Sequence, residues 1–432
     1  MTEPSTRRPD AASDAALARY AQQMRRSRTV YYAILAVIVI GIGVFVGVVW
    51  SNSEVAHASL HTQRPAPPRI GIAIPSATQQ QVWQTTDRVA LGTPQWNGTI
   101  VTYSRHSVGG RNGRTGQRTW LYTRTDRTVC TALQAGGTTI AIYSNAGNCD
   151  EVSAFYSGTG RRRWTRTLDM DGMPLNGRPG YQVTPTTWLV YTDSVIYAID
   201  PITGYNRWTY ARYGCHIDRV VLGAAGALIS QNCSDLVSCK EIKYCRRGPQ
   251  LLLRDGNAGE SDKAKPNADQ VKWADYGDTT VPVSADQVMS SVDPDGRTLH
   301  YYDPAKGTRI ALMPLQPRTP ELGDITAIAT SDAEIIWVSG RSYAVHAASS
   351  SPVWAVATIG APTVASTTRE VVPSLSTARI TVPYAGGITV LDGNDGSVIS
   401  HYTVAGPPPG SLVYSLGAGF LVTDPAGMVA YQ

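Results

Sequence analysis

Six cysteines, at 130, 149, 215, 233, 239 and 245, are the side chains in this 432-residue sequence best suited to covalent or metal chemistry. Structural zinc favours C-x2–4-C pairs, whereas Cys233, Cys239 and Cys245 are spaced C-x5-C-x5-C and no two cysteines adjoin. A zinc set from Cys215, Cys233, Cys239 and Cys245 is therefore the weaker reading. In a domain held outside the cytoplasm an even number of cysteines reads as disulfides. Of the seven histidines (57, 61, 106, 216, 300, 346 and 401) none stand two apart, and the one pair four apart, His57 and His61, lies just after the apolar run, outside the repeats. Asp293-Pro-Asp295-Gly296 and Asp392-Gly-Asn394-Asp395-Gly396 lack the D-x-[DN]-x-[DN]-G pattern with its distant glutamate, and read as turns. Neither a G-x-S-x-G elbow nor a phosphate-binding G-x-x-x-x-G-K-[ST] loop is present. No residue is assigned a catalytic, metal or cofactor role.

What could position such groups begins with one apolar run. Residues 30–50 hold no charge across 21 positions, which as a helix span about 30 Å, the thickness of a bilayer's hydrocarbon core. Arg25, Arg26 and Arg28 precede the run, and the 13 residues after Trp50 contain no Lys or Arg. That asymmetry predicts a cytoplasmic N-terminus and an extracytoplasmic remainder. Ala56-His57-Ala58 resembles a signal-peptidase site, but the run is longer than a signal peptide's apolar core. The expected organisation is an Arg-rich cytoplasmic tail (1–28), a transmembrane helix (29–51), a proline-rich linker (52–79) and a folded domain (80–432). Gly43 and Gly47 form a G-x-x-x-G pair, a candidate homodimer face.

The folded domain announces itself by repetition. RTGQRTW, GTGRRRW and ITGYNRW place Gly116, Gly160 and Gly204 each four residues before Trp120, Trp164 and Trp208, at intervals of 44 and 44 residues. Worn copies continue around Trp273, Gly307, Trp354 and Gly396. A period of 40–50 residues with several short strands per unit marks a β-propeller. Alternation in TWLVYT and VIYAI predicts half-buried strands. The Asp-x-x-Thr-Gly element makes a turn, and the tryptophan wedges one blade against the next. Trp83 precedes any complete unit, while the chain ends in two strands lacking a fourth. Closure of the last blade by residues 80–86 resolves both facts and removes exposed edges. The period then predicts an all-β fold with eight blades, seven being the alternative, with Trp83, Trp120, Trp164, Trp208, Trp273 and Trp354 as docking residues.

The motif Ala198-Ile-Asp200-Pro-Ile-Thr203-Gly204-Tyr-Asn-Arg-Trp208 resembles the tryptophan-docking repeat of quinoprotein-type, or PQQ-like, β-propellers. That family includes quinoprotein alcohol dehydrogenases and the outer-membrane assembly lipoprotein of the BAM complex. With its anchor and Arg-rich tail the chain is similar to actinobacterial single-pass membrane proteins bearing such repeats. The resemblance implies a quinone site only where adjacent cysteines support it, and these are missing, so no cofactor is expected.

Within the blade frame, Cys130 and Cys149 share one blade, and Cys215 and Cys233 take similar places two blades on. Strand neighbours lie within disulfide reach, leaving Cys239 and Cys245 to close a small loop. The stretch 233–272 reads as an insertion into the repeat and holds five of the six lysines. Lys240, Lys243, Arg246 and Arg247 there form a candidate partner-binding loop. The net charge is +5, of which the tail carries a surplus of three. The near-neutral body gives no footprint for nucleic acid. The function that follows is a non-catalytic scaffold for envelope proteins or a cell-wall component, held at the lipid bilayer by residues 30–50. The alternatives are a quinone-dependent oxidoreductase, and a sensor coupled through the anchor to a cytoplasmic partner.

Overall fold

The computed structural model describes residues 11–51, 53–62, 75, 79–92, 98–145, 147–168, 179–212, 214–234, 246–256, 271–315, 325–338, 340–346, 349–365, 374–404, 407–424 and 426–432. The chain divides into two units, Met1–Ser59 and Leu60–Gln432.

The first unit is a helix, Ala11–Ser51, followed by a single turn, Glu54–His57. Its Gln22–Ser51 portion is long and apolar enough to cross a membrane. Helix thus begins well inside the stretch expected as a tail, because AASDAALARYAQQM is rich in strong helix formers with no glycine or proline. The expected linker 52–79 also carries regular structure at its start. Ala58–Thr62 is a strand, and the prolines that would deny pairing begin only at Pro65.

The second unit is a ring of eight antiparallel sheets. Blade 1 comprises Arg88–Val89, Thr99–Tyr103, Ser107–Asn112 and Arg118–Arg124, with Ala58–Thr62 as a fifth, outermost strand. Blades 2 to 7 have four strands each and begin at Thr128, Gly180, Cys215, Val281, Ile325 and Thr363. Blade 8 contains Leu412–Leu416, Gly419–Asp424 and Gly427–Tyr431, and its fourth strand is Gln81–Thr85. Trp83 lies opposite Ala430 and Gln84 opposite Val429. Gln80 and Gln432 exchange backbone bonds at 2.9 Å in both directions. The seven-blade alternative is excluded. From blade 2 to blade 6, and between blades 7 and 8, the first strands of neighbouring blades adjoin one another, so they face the middle of the ring.

The expectation of half-buried strands needs correction. In Val195–Ile199 all five side chains are buried. Val195, Tyr197 and Ile199 pack toward blade 2, whereas Ile196 and Ala198 pack toward blade 4. Alternation survives as a choice between two neighbours, because each blade is covered on both faces.

The recurring tryptophan works across blades. Trp83, Trp120, Trp164, Trp273 and Trp354 lie over Gly116, Gly160, Gly204, Gly307 and Gly396, each glycine belonging to the next blade's turn. Their indole N–H groups donate to carbonyls of those same turns: Gly113, Ser157, Pro201, Pro304 and Gly393, at 2.7–3.2 Å. Each Gly-x-x-x-Trp element therefore receives the previous blade's indole and supplies its own to the next. Blade 4 lacks the Thr-Gly turn, and Trp208 donates to Gly256 O at 3.3 Å with the Arg254 guanidinium 4.5 Å from its ring. Burial pushes Arg254 down to about 10, and the aromatic face offsets part of that cost.

Candidate binding site

The covalent candidates resolve first. Cys130 is joined to Cys149 and Cys215 to Cys233. Cys215 and Cys233 are direct partners across two adjoining strands of blade 4, which excludes a zinc set drawn from them. Replacing both by serine is expected to cost about 3 kcal/mol, the chain-entropy contribution of a loop of this length. Urea midpoints of wild type and double variant, both under oxidising conditions, measure it.

Cys239, Cys245, Lys240 and Lys243 lie outside the described residues. The stretch 233–272 is not one insertion, since Gly248–Arg254 is the third strand of blade 4. Its LLL run is buried on both sides, the cause of its strand character. Arg246 and Arg247 stand exposed just before it, the Arg246 guanidinium 4.6 Å from the Tyr276 ring. Gly43 and Gly47 sit on the long helix with open space around them. The two acidic motifs are turns: Asp293 O accepts from Gly296 N at 2.8 Å, and Asp392 Oδ1 accepts from Asn394 N at 2.8 Å. Among the described residues no three His, Cys, Asp or Glu side chains gather as a metal set.

Two features escaped the sequence. Glu334 of blade 6 is fully buried against blade 5, accepting from Ser290 Oγ at 3.0 Å. Burial pushes its carboxyl up to about 8. Asp286 nearby, which accepts from Ala224 N at 2.8 Å, is raised by burial too. The folded chain thus retains a proton on Glu334 that the unfolded chain releases above about pH 4.3. Stability therefore falls as pH rises from there to about 8. Glu334→Gln, an uncharged isostere, is expected to flatten this dependence and to raise stability at pH 8 by on the order of 3 kcal/mol. Urea midpoints at pH 5 and pH 8 check both statements.

The second feature is a cavity of about 360 Å³ at the closing seam, between blade 8 and blade 1. Its origin is local. The first strand of blade 1 is only Arg88–Val89, after which the chain crosses to blade 2. Leu91 N donates to Ala132 O at 2.8 Å, and Leu91 O accepts from Gln134 N at 2.7 Å. Gly92 completes the crossing at φ 110°, where a Cβ would lie 2.4 Å from Gln134 O. The departure of the chain leaves space beside Leu412–Leu416. Arg88, Leu91, Tyr103, Leu412, Tyr414 and Asp424 are among the residues around it. Burial pushes the Tyr414 phenol up to about 12, so it stays a neutral donor.

No family model and no curated protein matches the chain. Among solved structures it is similar to BamB from Moraxella catarrhalis, with 14% identity, 82% of this chain and 99% of that chain covered, and a TM-score of 0.48. It is also similar to the C-terminal WD40 domain of Sif2, with 10% identity, 83% and 98% covered, and a TM-score of 0.50. At such identity the WD40 likeness is one of fold alone.

Proposed function

We propose that the protein is a membrane-anchored, extracytoplasmic binding module whose propeller holds cell-envelope partners. The observation that carries this reading is the closed ring of eight blades, with its first and last strands locked in one sheet. Closure makes a rigid disc, and loops on a rigid scaffold are where recognition residues usually sit. The apolar helix supplies the anchor. The arginines before it and the absence of basic residues just after it favour a cytoplasmic N-terminus.

In-cell crosslinking followed by affinity capture of the full chain tests the proposal. Envelope proteins or wall fragments crosslinked to residues 80–432 are the expected result. Crosslinks confined to residues 1–28 would replace the scaffold with a signalling role.

A further inference from the structure

The seam cavity presents opposite charges in an apolar setting. Arg88 is exposed at it and makes no ion pair among the described residues. Asp424 Oδ1 accepts from Ala426 N and Gly427 N at 2.7 and 3.0 Å, which holds the carboxylate in place and leaves Oδ2 without a described partner. Leu91 is 48% exposed, and its backbone is held by two hydrogen bonds with blade 2. Leu412 and the rings of Tyr103 and Tyr414 add apolar and hydroxyl surface. A volume of about 360 Å³ stands at the lower end of small-molecule pockets. A wholly anionic ligand would meet Asp424, and a wholly cationic one Arg88.

We infer that the cavity binds a small zwitterion with an apolar side chain, a free amino acid or a short peptide, its carboxylate on Arg88 and its ammonium toward Asp424. The apolar side chain covers Leu91 and Leu412. Charge-assisted bonds at both ends give orientation, and burial of the side chain adds affinity. This goes beyond the scaffold reading and stands or falls separately, since it concerns one seam and no macromolecular partner.

Isothermal titration of the full chain in detergent, with leucine, phenylalanine and Leu-Leu as probes, tests it. Saturable binding of at least one probe is expected, with N-acetyl-leucine and leucinamide weaker by about tenfold or more, the worth of one charged hydrogen bond. Arg88→Gln, at an exposed position where folding is undisturbed, is expected to weaken the same probe by about tenfold, and Tyr414→Phe less. Preference for leucine points to free amino acids as the source, and preference for Leu-Leu to peptides. The proposal is overturned if no probe saturates up to on the order of 10 mM, if the blocked ligands bind equally well, or if Arg88→Gln binds like wild type.

Discussion

Replacing Trp120 by alanine lowers the unfolding free energy by about 3–5 kcal/mol, the usual cost of truncating a buried tryptophan. Trp120 is 1% exposed, lies on Gly160 of the next blade and beside Phe155, and donates its N–H to Ser157 O at 2.8 Å. The variant loses the apolar contact and leaves a buried carbonyl without its donor. Gly160→Val attacks the same contact from the other side and should cost at least as much. Gly160 has φ 69°, and any Cβ there would stand 2.6 Å from the indole. A β-branched residue is strained in that backbone region whatever the space. Trp83→Ala, at a half-buried ring, should cost less than Trp120→Ala. Equilibrium urea unfolding of the three variants tests the ranking. Equal losses at Trp83 and Trp120 would contradict the link between burial and docking strength.

Deleting Gly427–Gln432 is expected to abolish the closed ring. Those residues form the third strand of blade 8, bonded on one side to Gly419–Asp424 and on the other to Gln81–Thr85. Without them the N-terminal strand has no partner, and Leu421, Phe420 and their neighbours lose their cover. Val429→Pro is the milder version. It removes one ladder hydrogen bond from a strand paired on both sides, a position that proline does not normally occupy. Limited proteolysis reads both. Rapid cleavage near residues 80–90 is expected in the deletion and slower cleavage in Val429→Pro, against protection in the wild type. A deletion variant as resistant as wild type would mean that the ring does not depend on this seam.

Much of the architecture was legible because its signal is periodic. The Gly-x-x-x-Trp spacing identified blades, and the orphan Trp83 together with the unfinished C-terminal sheet identified the closing strand. One detail of the repeat was open to misreading: the glycine four residues before a tryptophan serves the previous blade's ring. The worn copies agree with that coupling. Blade 5 has Ala311 where the tryptophan would stand, and the turn of blade 6 has Ser350 where the receiving glycine would stand. With no indole arriving, a bare Cα is no longer required.

The cavity and the buried carboxylate carry no such period. Arg88 and Asp424 lie 336 positions apart in sequence and meet around one space only because the ring closes there. The cavity itself exists because a two-residue strand leaves blade 1 for blade 2, a choice made by backbone hydrogen bonds to Ala132 and Gln134. Glu334 reads as a surface residue after Asp332, yet blade 5 buries it completely. The sequence alone therefore determined the apolar helix, the propeller repeat and the identity of the wedges, since each follows from local spacing, while the choice of eight blades over seven came from the sheets themselves. Only the tertiary structure decided which side chains share a seam, because in a ring every blade takes its neighbours from distant parts of the chain.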